Sequence, residues 1–362
     1  MEFPSQSPRR ANRSVLTLVF GILLSVSILG FLIFGHLKAL AHAGSQIEWG
    51  FVLLAALAAF GSYSMMAVAF RKVLNVQGFR MSFAEVLGVI LVSSTANYLI
   101  SSMGLSGFAL KAHLLKKRRI PYATTVTASV LTSVILYSVL ALVVGQGLAF
   151  LLVHWGGTRM AWLEAGFGAG IFVSTAALVS LLFYGRKLRS RLTRVLFRGI
   201  DRAVFAVSRS AIPQEEFVDF ERQLEEGLDR VRRAKGALAA TMVYTCFDWS
   251  LVLLTLYFAF RAVGQSLGVG YLSAGFTVGQ ATSLIPILPA GLGAMEGSMA
   301  MVFDRLGVDF SAALIAAIIY RVAFYVLPGL VSVFVLWGLK VSEPDIALSS
   351  EREAGAEEAV GN

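Results

Sequence analysis

Runs of about 20 or more apolar residues, at roughly 50–70, 122–154, 237–260 and 311–338, dominate the chain; that is the length a helix needs to cross a bilayer. Lipid offers no water to satisfy backbone amides, so each run must close its own hydrogen bonds as a helix. Composition agrees: 57% of residues are hydrophobic and 15% charged, against about 25% charged in a soluble domain. The chain is read as all-α, a polytopic membrane helical bundle.

One stretch breaks the pattern. Ile285-Pro286-Ile287-Leu288-Pro289-Ala290-Gly291-Leu292-Gly293-Ala294-Met295-Glu296 lies within an apolar region, yet it holds two prolines, two glycines and a carboxylate. Proline removes a backbone donor and clashes with the preceding turn, so a helix should break near Pro286 or Pro289. Gly291 and Gly293 permit a sharp reversal. Broken backbone at membrane depth is tolerated only inside protein or against a wet cavity. The expectation is a re-entrant hairpin with Glu296 just past its tip.

The positive-inside rule orders the remainder. Residues 1–13 carry Arg9, Arg10 and Arg13, and Val15 to Gly35 is apolar. Ala41-His42-Ala43 has the small residues of a cleavage site. The apolar run exceeds the usual 7–15 residues of a signal peptide, however, and is read as an uncleaved first span. A second span at about 50–70 ends in Arg71 and Lys72. Residues 84–110 are flanked on both sides by cations, Arg71, Lys72 and Arg80 before them and Lys111 and Lys116 to Arg119 after. Both flanks then lie in the cytoplasm, so the segment must enter and return, with the small residues 101–107 at its tip. Residues 122–154 cross outward and Gly166 to Tyr184 returns. Ala237 to Phe260 crosses out, 271–303 holds the proline-broken hairpin, and Ser311 to Gly338 crosses back.

This layout is a repeat. Halves at about 14–154 and 166–340 each read span, span, hairpin, span, with opposite orientation. Inverted repeats with broken helices meeting near the midplane mark a secondary transporter's binding site. The domain organisation is one integral membrane unit, 1–340, with a cytoplasmic amphipathic insert at 185–236 and a disordered cytoplasmic tail at 341–362. Both termini are placed in the cytoplasm of a cytoplasmic (inner) membrane. Of the 31 lysines and arginines, all but Lys38, Arg159, Arg261, Arg305 and Arg321 fall on the cytoplasmic side. The net charge of +9 therefore belongs to helix ends and does not indicate nucleic acid.

Glu296, Arg321 and Asp248 are the ionisable groups expected deep in the bilayer, at about 2.5–3.5 kcal/mol each for a helix centre. Arg321 is suited to a lipid phosphate. Glu296 is suited to pair with Arg321 in an empty cavity, or to bind a cationic headgroup or a proton. The same two residues also suit a permanent structural pair. Asp248, beside Trp249, either serves the pathway or hydrogen-bonds a neighbouring helix. Amides freed where a half-helix begins after Gly293 would hold an anion; equally, Gly291 and Gly293 would only permit close packing. Residues 186–209 alternate Leu188, Leu192 and Leu196 with Arg189, Arg191 and Arg194. Such a helix suits an anionic lipid surface. Cys246 is the single cysteine and there are four histidines, so neither a disulfide nor a Cys/His metal site is expected. No Walker loop, dinucleotide fingerprint or nucleophile elbow is present, and neither an enzyme activity nor a cofactor is expected.

The broken stretch resembles the lysylphosphatidylglycerol synthase transmembrane-region family of flippase-like membrane proteins. That family shows Pro-x-Pro-Gly-Gly-x-Gly-x-x-Glu. Here Pro289, Gly291, Gly293 and Glu296 stand in register, with Ala290 for the first glycine and Pro286 ahead. Tyr320-Arg321 also matches the family's pattern. In the first hairpin the family shows Gly-Glu-x-x-Arg; here Gly107 and a cation at Lys111 remain, but Phe108 replaces the acid. Lys111 is either a phosphate contact or the first of the cytoplasmic anchors. The resemblance implies a lipid translocator, moving a phospholipid, an aminoacyl-lipid or a polyprenyl or hopanoid lipid. The alternatives are a membrane partner of a lipid-synthesising enzyme and, less favoured, a lipid headgroup transferase. Long relatives resembling the synthase carry a large soluble domain after the membrane part, which is not expected in the residues after Lys340.

Overall fold

The computed structural model describes residues 47–99, 105–154, 234–283 and 291–341, and all but three of 222–233. Among these residues there are helices and no strands. We label them α1 (Trp49–Val76), α2 (Phe83–Leu99), α3 (Leu105–Lys116), α4 (Tyr122–His154), α5 (Lys235–Ala262), α6 (Val269–Ser283), α7 (Ala294–Arg305), α8 (Phe310–Arg321) and α9 (Leu327–Val341). A π-helical turn, Val322–Val326, joins α8 to α9.

Among the described residues, four helices are long and apolar enough to cross a membrane: α1, α4, α5 and the run Phe310–Gly338. All four lie where the apolar runs predict. The expected spans at Val15–Gly35 and Gly166–Tyr184, the basic helix at 186–209 and the tail beyond 341 lie outside the described residues.

The bundle's most extensive interface joins α1 to α5. The two helices run antiparallel: the Glu48 amide donates to the Ala262 carbonyl at one end, and Ser62 meets Asp248 near the middle. Small residues line the seam, with Ala55, Ala59 and Ala67 buried on α1 and Thr255 and Ala259 on α5. Without a hydrophobic drive between helices in lipid, close backbone approach and dispersion contacts must supply the attraction. Phe70, Leu74, Leu256 and Phe260 fill the same core and are fully buried.

The remaining helices form two short antiparallel pairs. In α2–α3, Ser82 and Glu85 make a capping box at the start of α2: the Ser82 amide and hydroxyl donate to Glu85 Oε2, at 3.0 and 2.8 Å. Arg118, just past α3, donates to the other carboxylate oxygen at 3.3 Å. The start of α2 and the end of α3 therefore lie together, as cations on both flanks predict. At the other end Ser106 and Gly107 of α3 meet Ala96 and Asn97 of α2. A Cβ on Gly107 would stand 2.2 Å from the Ser93 carbonyl oxygen, so only glycine allows this approach.

In α6–α7, Phe303 and Met299 of α7 lie over Gly275 and Gly279 of α6, and the Thr282 and Ser298 hydroxyls share a hydrogen bond of 2.9 Å. The members of both pairs have 17, 12, 15 and 12 residues. At about 1.5 Å per residue, the three shorter ones fall well below a 30 Å hydrocarbon core. The described elements thus recur in one order, long helix, short pair, long helix, in each half of the chain. The end of the insert lies against the bundle: Val231 is buried, and Arg230 donates to the Gln77 carbonyl at 3.1 Å.

Candidate functional site

Gly293 adopts φ +81° and is the N-cap of α7. That left-handed conformation is costly for any residue with a Cβ, which explains a glycine here. Glu296 is the third residue of α7. One of its oxygens, Oε2, accepts from the Gly293 amide at 2.8 Å. The other, Oε1, accepts from Arg321 Nε at 2.5 Å. Both side chains are almost wholly enclosed, Glu296 at 2% and Arg321 at 5% exposure. The carboxylate thus sits on the positive end of its own helix and against a guanidinium. One of the two readings open for this half-helix is close packing at Gly291 and Gly293; the other puts an anion on its free amides. The structure fills that position at Gly293 with the protein's own carboxylate.

Arg321 is brought there by α8. Asp309 caps that helix, accepting from the Ala312 amide at 2.9 Å, and Arg321 is its last α-helical residue before the π turn. A π turn rotates the residues after it relative to a plain α-helix, and such turns gather at functional sites. Here it forms an aromatic wall. The Arg321 guanidinium lies 4.7 Å from the Tyr325 ring centroid. Tyr98 of α2 meets Tyr325 edge-on at 4.6 Å, and Tyr320 stacks on Phe324 at 5.7 Å. Tyr63 of α1 holds the turn, donating its hydroxyl to the Phe324 carbonyl at 3.0 Å. Ring faces stabilise the cation without neutralising it. The site is therefore one buried ion pair, built where a helix begins and floored by tyrosines.

Of the predicted residues, Glu296, Gly293, Arg321 and Tyr320 come together, and Gly291 lies two residues before the cap with φ +64°. Pro289 lies outside the described residues. Asp248 stands apart on the α1–α5 seam, at 3% exposure, accepting a short hydrogen bond from Ser62 Oγ. Gly107 and Lys111 belong to α3: Gly107 is the contact point with α2, and Lys111 Nζ lies 4.8 Å from the Phe70 ring centroid. Tyr63, Tyr98, Tyr325, Ser62 and Asn97 were not anticipated. The one available signal was polar or phenolic residues within apolar helices, which spacing alone does not assign to a site. No cluster of metal ligands exists among the described residues.

The profile of the lysylphosphatidylglycerol synthase TM region matches residues 18–332, most of the chain. The chain belongs to this family. Its relatives include a UPF0104 membrane protein of Pyrococcus horikoshii, 26% identical over 77% of this chain and 84% of that protein. A UPF0104 membrane protein of Methanothermobacter thermautotrophicus is 26% identical over 89% of this chain and 92% of its own length. A phosphatidylglycerol lysyltransferase of Staphylococcus epidermidis is 26% identical over 105 residues, 29% of this chain and 12% of that enzyme. In this lysylphosphatidylglycerol synthase TM-region protein the match takes in both short helix pairs and the Glu296–Arg321 site.

Proposed function

We propose that the protein is a lipid translocator of the cytoplasmic membrane, moving a polar-headed anionic or zwitterionic lipid between leaflets. In this reading the two halves are inverted copies, each short pair re-enters the bilayer, and the termini lie in the cytoplasm. The observation that carries it is the Glu296–Arg321 pair at a helix break, enclosed at 2% and 5% exposure. A buried pair contributes little net stability against a well-packed apolar replacement, so its presence inside the bundle favours a pathway role. Arg321 releases Glu296 to take a lipid phosphate, and Glu296 remains on the Gly293 amide to receive a cationic headgroup or to pair again. With a zwitterionic lipid the phosphate meets Arg321 and the cationic headgroup meets Glu296, so neither buried charge is left without a partner.

Purified protein in liposomes should move a fluorescent phospholipid analogue between leaflets, and Arg321→Ala should abolish movement while still inserting. Absence of movement for phospholipids, aminoacyl-lipids and polyprenyl or hopanoid lipids alike, with folded protein, would overturn the reading. The local likeness to a phosphatidylglycerol lysyltransferase favours a second reading, a membrane partner of a lipid-synthesising enzyme. Co-purification with such an enzyme, together with undiminished function in Glu296→Ala, would select it.

A further inference from the structure

We propose that Asp248 is a proton-binding site that couples lipid movement to a proton gradient. This rests on the translocator reading and adds the driving ion to it. Asp248 lies in the α1–α5 seam, 3% exposed, and the Ser62 hydroxyl is its hydrogen-bond partner. No lysine, arginine or histidine among the described residues forms an ion pair with it, in contrast to Glu296. A bare carboxylate in such a place is far costlier than one hydroxyl can offset. The closed seam therefore holds the group as a neutral acid. Release of the proton leaves a carboxylate that must find water, so release accompanies opening of the seam.

The alternative small cation is disfavoured by the ligands present. A hard metal ion needs a cage of about six oxygens. Among the described residues the Ser62 hydroxyl is the side-chain hydrogen-bond partner of Asp248, far short of such a cage, which suits a proton.

The surrounding titratable groups are phenols. Tyr63 of α1 directly follows Ser62, the partner of Asp248, and its ring meets Phe324 at 5.4 Å, while Tyr137 of α4 is half exposed. Tyr63 of α1 adjoins Tyr98. Tyr98 meets Tyr325, which underlies Arg321, and Tyr320 of α8 completes the row. Arg321 itself is committed to Glu296. On α6, Tyr271 packs on Phe150 and His154 instead. Asp248 and the Glu296–Arg321 pair thus stand at the two ends of one row of tyrosines. A charge appearing at one end is felt along the row, which gives the two sites a route for exchange of free energy.

The test uses full-length protein in liposomes of phosphatidylglycerol and phosphatidylethanolamine, with a fluorescent phosphatidylglycerol analogue. An imposed pH gradient should change net movement several-fold in the wild type, with opposite gradients acting oppositely. In Asp248→Asn the ratio of movement with and without the gradient should fall to one, whatever the absolute rate. Asp248→Glu, which keeps a titrating carboxyl, should retain a response. A full response in Asp248→Asn, or none in the wild type while lipid still moves, overturns the proposal. A second readout does not need transport: infrared spectra of the membranes should show a protonated carboxyl band that Asp248→Asn removes. If lipid does not move at all, the translocator reading fails, and this band alone decides whether Asp248 binds a proton. Its absence from the wild type at neutral pH rejects the site outright.

Discussion

At the α2–α3 break, the Gly107 amide is met by the Asn97 carboxamide of the facing helix, 2.7 Å away. At the α6–α7 break, the Gly293 amide is met by the Glu296 carboxylate of its own helix, 2.8 Å away. Both devices satisfy a helix start that has lost its preceding turn. A carboxamide is neutral and leaves nothing to balance. A carboxylate carries a full charge into an apolar bundle, and that charge draws Arg321 from a helix 25 residues on. The same local problem therefore yields a packing joint in one half and a buried ion pair in the other.

The comparison is broken most forcefully at Arg321. Arg321→Met strands a buried carboxylate and should cost about 3–5 kcal/mol. Adding Glu296→Gln should recover most of that loss while lipid movement stays absent. Unfolding in detergent by denaturant checks the first point and the liposome assay the second; a double variant as unstable as the single one would show that charge is not the issue. Next in size, Gly107→Ala forces a methyl against the Ser93 carbonyl and should cost about 1–3 kcal/mol, since the helices must part. The same denaturant series measures it.

Asn97→Ala sharpens the contrast. It removes a cap worth about 1 kcal/mol, and lipid movement should persist, whereas Glu296→Ala should lose it. Equal loss in both variants would make the two breaks alike in function. The smallest effect is expected at the mouth of α2–α3, where Glu85 and Arg118 repeat the carboxylate–arginine pairing in a wetter place, with the Glu85 side chain 43% exposed. The Ser82 hydroxyl, above all, holds Glu85 below the usual carboxylate range; burial opposes it as the next-largest effect, and the Ser82 amide and then Arg118 add to the lowering. A depressed folded value means the contribution is present above the unfolded value and disappears as pH falls through the folded one. Glu85→Gln should accordingly remove about 0.2–1 kcal/mol at neutral pH and nothing in strong acid, as denaturation at both pH values will show.

Much of this was legible beforehand. The apolar runs located α1, α4, α5 and α8–α9 to within a few residues, because helix formation in lipid depends on length and apolarity within each segment. Cations on both flanks of 84–110 foretold that α2 starts beside the end of α3. Glu296 and Arg321 were expected to pair, since each is too costly to leave alone at depth. The aromatic wall was not foreseen: Tyr63 reaches Phe324 across 261 positions, and no local pattern encodes that distance. Nor was Asn97, whose role depends on which residue of α3 faces it.

Sequence by itself settled the helices, the place of the break and the carboxylate three residues past Gly293. Those features follow from backbone chemistry within a few neighbouring residues. Tertiary structure alone decided what each buried group meets: Arg321 for Glu296, Ser62 for Asp248 and the facing Asn97 for Gly107. Such partners are chosen by how closely small residues let helices approach and at what register, a property of the assembled bundle that no single segment carries.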